Sequence, residues 1–193
     1  MKTLLRIDSS FRLNNSYSRI AGDTFVKEWK ILNPIGIIKN REIGFFHVPH
    51  LDQALYNEFY QAQNPSDGLR LSDELIAELI DCDEILITVP MYNFGIPSSL
   101  KAYFDLVVRT GKTFLYQDQP IGLLQNKKAY ILSSMGDFKS DSPNLVEMHL
   151  QKVLNFMGVT DISYYSLDGT ADKNYVNQQL RNQKKSIRNI LNQ

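Results

Sequence analysis

Five short apolar runs, each followed by an amphipathic stretch, constrain this chain more than anything in its composition. The runs are Thr3 to Ile7, Ile35 to Ile43, Glu84 to Val89, Lys128 to Ser133 and Thr160 to Leu167. Their lengths suit strands, and Ile35, Ile37 and Ile38 are the expected buried residues of the second. Between and after them, apolar residues recur at helical spacing. Ile20, Ala21, Phe25, Trp29 and Leu32 mark the first helix, which Asn33 and Pro34 stop. Ser72, with Asp73 and Glu74, predicts the cap and acidic first turn of a helix whose face is Leu75, Ile76, Leu79 and Ile80. Pro97 opens a helix carrying Leu100, Phe104, Val107 and Val108. Leu145 to Met157, closed by Gly158, and Val176 to Leu191 complete the series. Residues 44–68 are less regular, with a short helix around Leu55 to Gln61 and the breaker stretch Asn64 to Gly68.

Apolar strands alternating with helices imply a parallel sheet, because parallel strands need helical crossovers that cover both faces. The expected fold is α/β, a flavodoxin-like doubly wound five-stranded parallel sheet with helices on both faces. At 193 residues, with no repeat, low-complexity tract or linker, the chain is expected to form one domain over residues 1–193. Lys plus Arg and Asp plus Glu both number 21, which argues against nucleic acid and anionic membrane as partners and for a small ligand. The single cysteine, Cys82, is read as a packing residue in a reducing compartment. Neither a membrane span nor a secretory signal is visible, so a cytoplasmic location is expected.

In such sheets ligands lie beyond the carboxyl ends of the strands, at the topological switch point, and three loops qualify. The first, "DSSFRLNNSYSR" from Asp8 to Arg19, gathers hydroxyls, amides and backbone N–H groups at a helix start, where a phosphate is favoured. It matches neither the dinucleotide nor the P-loop glycine pattern, and an ordinary capped loop is the competing explanation. The second, "VPMYNFGIP" from Val89 to Pro97, crowds Met91, Tyr92 and Phe94 into a turn bracketed by prolines, with Asn93 as donor and acceptor. Such residues pack on the face and rim of a planar ring. The third, "SSMGDF" from Ser133 to Phe138, holds Gly136, which permits close approach of a ligand. Together, a phosphate site, a planar polar edge and an apolar face describe flavin mononucleotide (FMN).

The segment "PMYNFGIPSSLKAYFDLVVRTGKTFLY", Pro90 to Tyr116, closely resembles the corresponding part of the FMN-dependent NADH-azoreductase family, also described as NADH:quinone oxidoreductases. Supporting similarity runs from "SSFRLNNSYSR" to "LNFMGVTDI", Leu154 to Ile162. The resemblance implies a homodimer with the flavins near the subunit interface. It assigns the phosphate to Ser10, Ser16, Tyr17 and Ser18, and the isoalloxazine rim to Met91, Tyr92, Asn93 and Phe94. Aligned on Phe138, the family's Gly-Gly pair after the fourth strand falls on Met135 and Gly136, and shifted by one on Gly136 and Asp137. Either way the loop departs from the family, and Ser133, Ser134, Met135 and Gly136 are expected at the pyrimidine edge. The stretch from Lys139 to Pro143 is slightly long and is expected to reshape the entrance.

The family's scheme is ping-pong. NADH or NADPH reduces the flavin, and a quinone or aromatic azo compound then reoxidises it, with the flavin rather than a side chain carrying the hydride. Phe114 and Tyr116 are expected to wall the acceptor pocket with help from the partner subunit. The alternatives are a flavodoxin-type electron carrier, against which the balanced charge argues, and an NADPH-dependent FMN reductase. His47 and His50 flank Pro49 without an evident third ligand, so no metal is expected. Arg109 and Lys112 are read as a solvated helix end, and Trp29 as core.

Overall fold

The structure, a computed structural model, describes residues 1–61, 64–138 and 143–192. Five strands form the main sheet: β1 (Thr3–Asp8), β2 (Ile37–Glu42), β3 (Glu84–Pro90), β6 (Lys128–Ser134) and β7 (Asp161–Leu167), in the order β2-β1-β3-β6-β7 and all parallel. A two-stranded antiparallel hairpin, β4 (Phe114–Tyr116) with β5 (Pro120–Gly122), stands apart from it. All seven residues of β3 are buried, as expected of a central strand covered on both faces.

The pleat sends alternate side chains to two cores. Leu5, Ile7, Ile85, Ile87, Val89 and Ile131 face α3 (Asp67–Asp81), α4 (Ser98–Val107) and α5 (Leu145–Phe156). Leu4, Leu86, Tyr130 and Leu132 face α1 (Tyr17–Leu32) and α6 (Lys173–Leu191), which bring Phe25, Trp29, Ile187 and Ile190. Helix α2 (Gln53–Gln61) contributes Leu55 to the first core. Trp29 is core as expected, and its indole N–H donates to Glu84 Oε2 at 2.6 Å, which satisfies a buried donor and acceptor together. Burial pushes the Cys82 thiol up to about 11, and it makes no disulfide.

The flavodoxin-like sheet is therefore the predicted one, while several local expectations are corrected. Ile35 is 76% and Ile37 43% exposed, because Ile35 lies in the turn after α1 and β2 is an edge strand. Helix α3 starts at Asp67, not Ser72: Ser66 is its N-cap and accepts from the Leu69 N–H. Ser72 lies inside α3, where its hydroxyl donates to the Leu106 carbonyl at 2.6 Å. Ile80, Leu32 and Leu145 face outward. Arg109 is not a solvated helix end. It is 7% exposed, donates to Ser72 Oγ at 2.8 Å and Asp73 Oδ1 at 2.7 Å, and lies 4.4 Å from the Phe59 ring centre. Among the described residues no helix is long and apolar enough to cross a membrane, and no cluster of ligating side chains could hold a metal ion.

Candidate functional site

The chain leaves β1 for β2 on one side and reaches β3 on the other, so the carboxyl ends of β1 and β3 flank a crevice at the switch point. Asp8 and Thr88 tie the two ends together, Thr88 Oγ1 donating to Asp8 Oδ1 at 2.6 Å. The Ser9 N–H and hydroxyl both donate to the Thr88 carbonyl, at 3.2 and 2.8 Å. The loop after β1 thus starts from a fixed point.

From there it runs to α1. Ser10, Ser16 and Ser18 are buried, and Tyr17 is half-buried against the α1–α6 core. Ser16 occupies the N-cap with extended backbone, yet its side chain caps nothing and instead pairs with Ser18 Oγ at 3.2 Å. No acidic residue stands in the first turn. The helix start therefore presents uncapped N–H groups with buried hydroxyls beside them, the arrangement an anion needs.

The turn after β3 has its own constraint. Tyr92 and Gly95 exchange backbone hydrogen bonds of 3.0 Å each way, with Asn93 and Phe94 between them at φ 49° and 65°. This is a type I′ turn. Its second central residue is an aromatic in the left-handed region, where glycine is favoured, and Phe94 stands 76% exposed at the mouth of the site. Tyr92 turns the other way. Its ring packs on Phe11 at 4.8 Å between centres, and its hydroxyl lies 3.3 Å from Ser10 Oγ. Met91, half-buried, donates its N–H to the Ser134 carbonyl at 2.8 Å.

The loop after β6 completes the group. Ser133 and Ser134 are buried strand-end residues, and Met135 is half-buried. Gly136 is exposed, and a Cβ there would meet nothing within 4 Å, so the backbone has open space beside it. Met91, Phe94, Met135 and Phe138 line one side of a cleft of about 940 Å³, and Asn144, Tyr164, Ser166 and Asp168 line its polar side. Ser133 Oγ points toward β7, bonded to Tyr164 OH at 2.5 Å and to Ser166 Oγ at 3.0 Å, and Ser166 in turn donates to Asp168. Burial raises the pKa of Tyr164, so its hydroxyl stays protonated at neutral pH.

Sequence reasoning missed this β7 wall. Its signal was the polar alternation Tyr164, Ser166, Asp168 at the carboxyl end of the strand. Phe114 and Tyr116 are not brought into this cleft: Phe114 packs on Phe156 at 4.6 Å and Tyr116 is exposed on the hairpin. Of the stretch expected to reshape the entrance, Lys139 to Ser142 lies outside the described residues, and Pro143 lines the cleft.

A five-stranded doubly wound sheet in the order 2-1-3-4-5, with an anion-ready helix start and an aromatic turn at its switch point, defines a protein of the flavodoxin-like class. A family model described as flavodoxin-like fold matches residues 1–191. The chain is 36% identical, over an alignment 202 positions long, to the FMN-dependent NADH:quinone oxidoreductase of Hydrogenovibrio crunogenus, covering 99% of this chain and 100% of that protein. It is 40% identical over 176 residues to the protein of the same name from Cellvibrio japonicus, covering 88% of each. Among solved structures it superimposes on an FMN-dependent NADH-azoreductase of Bacillus anthracis str. Ames Ancestor, in complex with FMN. That match has a TM-score of 0.84 at 19% identity, over 98% of this chain and 99% of that one. The chain belongs to the flavodoxin-like family of FMN-dependent NADH:quinone oxidoreductases.

Proposed function

We propose that this chain is an FMN-dependent NADH:quinone oxidoreductase that also reduces aromatic azo compounds. Residues 1–193 act as one FMN-binding domain, and two copies pair as a homodimer in the cytoplasm. The observation that carries the reading is the meeting of the uncapped α1 start with the aromatic turn after β3, the Ser10 and Tyr92 hydroxyls 3.3 Å apart, in a chain whose full-length relatives bear that name.

Ser10, Ser16, Tyr17 and Ser18 hold the cofactor's phosphate through hydroxyls and first-turn N–H groups. Neither a metal nor a basic side chain is required there, because the helix dipole and oriented N–H groups supply the positive potential. Met91, Tyr92, Asn93 and Phe94 border the isoalloxazine, and Ser133, Ser134, Met135 and Gly136 bound its pyrimidine edge. Phe114 and Tyr116 wall the acceptor pocket together with side chains of the partner subunit. Bound FMN supplies the hydride chemistry between NADH or NADPH and the acceptor. The chain orients the two reactants in turn and excludes water with Met91, Phe94 and Met135, while solvent supplies the proton a reduced quinone takes up.

The test is spectroscopic. Addition of FMN to purified protein should perturb the flavin spectrum, anaerobic NADH should bleach it, and a quinone should restore it. Absence of flavin binding would overturn the proposal, and binding without rapid bleaching by NADH would favour an electron carrier.

A further inference from the structure

The loop that supplies Ser10 is gripped from behind by one side chain. Arg19 is the third residue of α1, and because helical side chains lean toward the N-terminus, its guanidinium reaches back over the helix start. Arg19 Nη2 donates to the Ser10 carbonyl at 2.5 Å. Nη1 and Nη2 also grip Glu42, at the end of β2, at 2.5 and 2.8 Å, and Glu42 Oε1 accepts the Gly44 N–H at 2.7 Å. The two backbones so joined touch: a Cβ on Gly44 would lie 2.0 Å from the Ser10 carbonyl oxygen. The guanidinium side chain is 13% exposed, with Asp8 3.5 Å away as a second carboxylate, so its charge is balanced locally.

A trans peptide points its carbonyl and the following N–H in opposite directions. Holding the Ser10 carbonyl against Arg19 therefore turns the Phe11 N–H to the far side, and that N–H has no acceptor among the described residues.

We propose that Arg19 is a positioning residue of the phosphate site: it does not touch the phosphate but fixes the Ser10–Phe11 peptide and the end of β2, so that the loop's N–H groups are set for an anion before it arrives. The proposal rests on the FMN reading above. Lysine can replace the charge of Arg19 but not its bidentate fork. Glu42 is the discriminating partner, because removing a competing carboxylate would strengthen a phosphate site that used Arg19 as a cation, and weaken one that used it as a clamp.

The experiment titrates the full-length protein, without bound flavin, against FMN and against riboflavin, which lacks the phosphate, following the quenching of flavin fluorescence. Arg19→Lys and Arg19→Gln should each weaken FMN binding about 10- to 100-fold while riboflavin binding stays within about twofold. Glu42→Gln should weaken FMN binding in the same direction. Wild-type affinity for FMN in Arg19→Lys, tighter FMN binding in Glu42→Gln, or equal losses for both flavins would each overturn the proposal while leaving the cofactor reading standing. A wild-type chain that bound neither flavin would overturn both.

Discussion

The Ser10 hydroxyl lies 3.3 Å from the Tyr92 hydroxyl, and this pair joins the loop after β1 to the turn after β3 across the switch point. Ser10 Oγ also accepts the Arg12 N–H at 3.2 Å, which leaves it poised between its own loop and the neighbouring one. Tyr92→Phe keeps the ring on Phe11 and deletes only the bridge, so the fold should be retained. FMN affinity should fall about fivefold, the worth of about 1 kcal/mol for one hydrogen bond. Isothermal titration of the two proteins decides it, and equal affinities would show that the bridge is idle.

Phe94 at φ 65° occupies a position where asparagine followed by glycine makes the most favourable type I′ turn. Phe94→Gly should therefore stabilise the flavin-free protein by about 1 kcal/mol, raising the melting temperature by roughly 2–4 °C. The same change removes an exposed wall of the cleft and should raise KM for the quinone. A thermal melt paired with steady-state kinetics reads both signs, and a melting point that fell would show that the turn is not strained.

The Ser72 hydroxyl serves two buried groups, donating to the Leu106 carbonyl and accepting from Arg109. Ser72→Ala leaves both without that partner and should cost about 2 kcal/mol. The urea midpoint should then drop by roughly 1 M. Because this cluster joins α3 to the C-terminal end of α4 and the residues just after it, the opposite end of that helix from the turn assigned to the flavin, FMN affinity should not change.

The Cys82 thiol titrates near 11 in the fold, raised by burial from an ordinary value of 9.0. The neutral thiol is thus favoured by folding. Its contribution is complete below pH 9 and is lost as pH rises toward 11, where only the unfolded chain ionises, at a cost on the order of 2 kcal/mol. Tyr103, Tyr130 and Tyr165 are also pushed up by burial and act in the same direction. Urea midpoints measured from pH 7 to 11 should be level to about pH 9 and then decline, less steeply in Cys82→Ala. The native thiol should also resist alkylation at pH 8 and react once the protein unfolds.

What could be read from the sequence follows how local each determinant is. Strand β3 declared itself because burial on both faces leaves Ile85 to Val89 apolar but for Thr88, and the Pro90 to Pro97 turn because its residues are contiguous. Ser72-Asp73-Glu74 imitates a helix cap, and only the packing of Leu69 and the bond from its N–H to Ser66 reveal the true start. The hairpin of β4 and β5 escaped notice because three-residue strands, one beginning at Pro120, carry no periodicity. Arg109 with Ser72, and Arg19 with Glu42, are pairs 37 and 23 residues apart, and no local pattern announces such partners.

The division of the core has a consequence for biosynthesis. Helix α6 follows every strand in the chain, yet it supplies Ile187 and Ile190 to the face that Leu4, Phe25 and Trp29 occupy, and Arg188 and Lys184 reach Glu28 on α1. On the ribosome, the α3–α4–α5 side of the sheet can close while the opposite side still exposes β6, β7 and the flank of α1. Until α6 emerges, that face lacks Ile187 and Ile190 and leaves apolar surface open to water, the kind of exposure that makes a partly folded chain prone to aggregate.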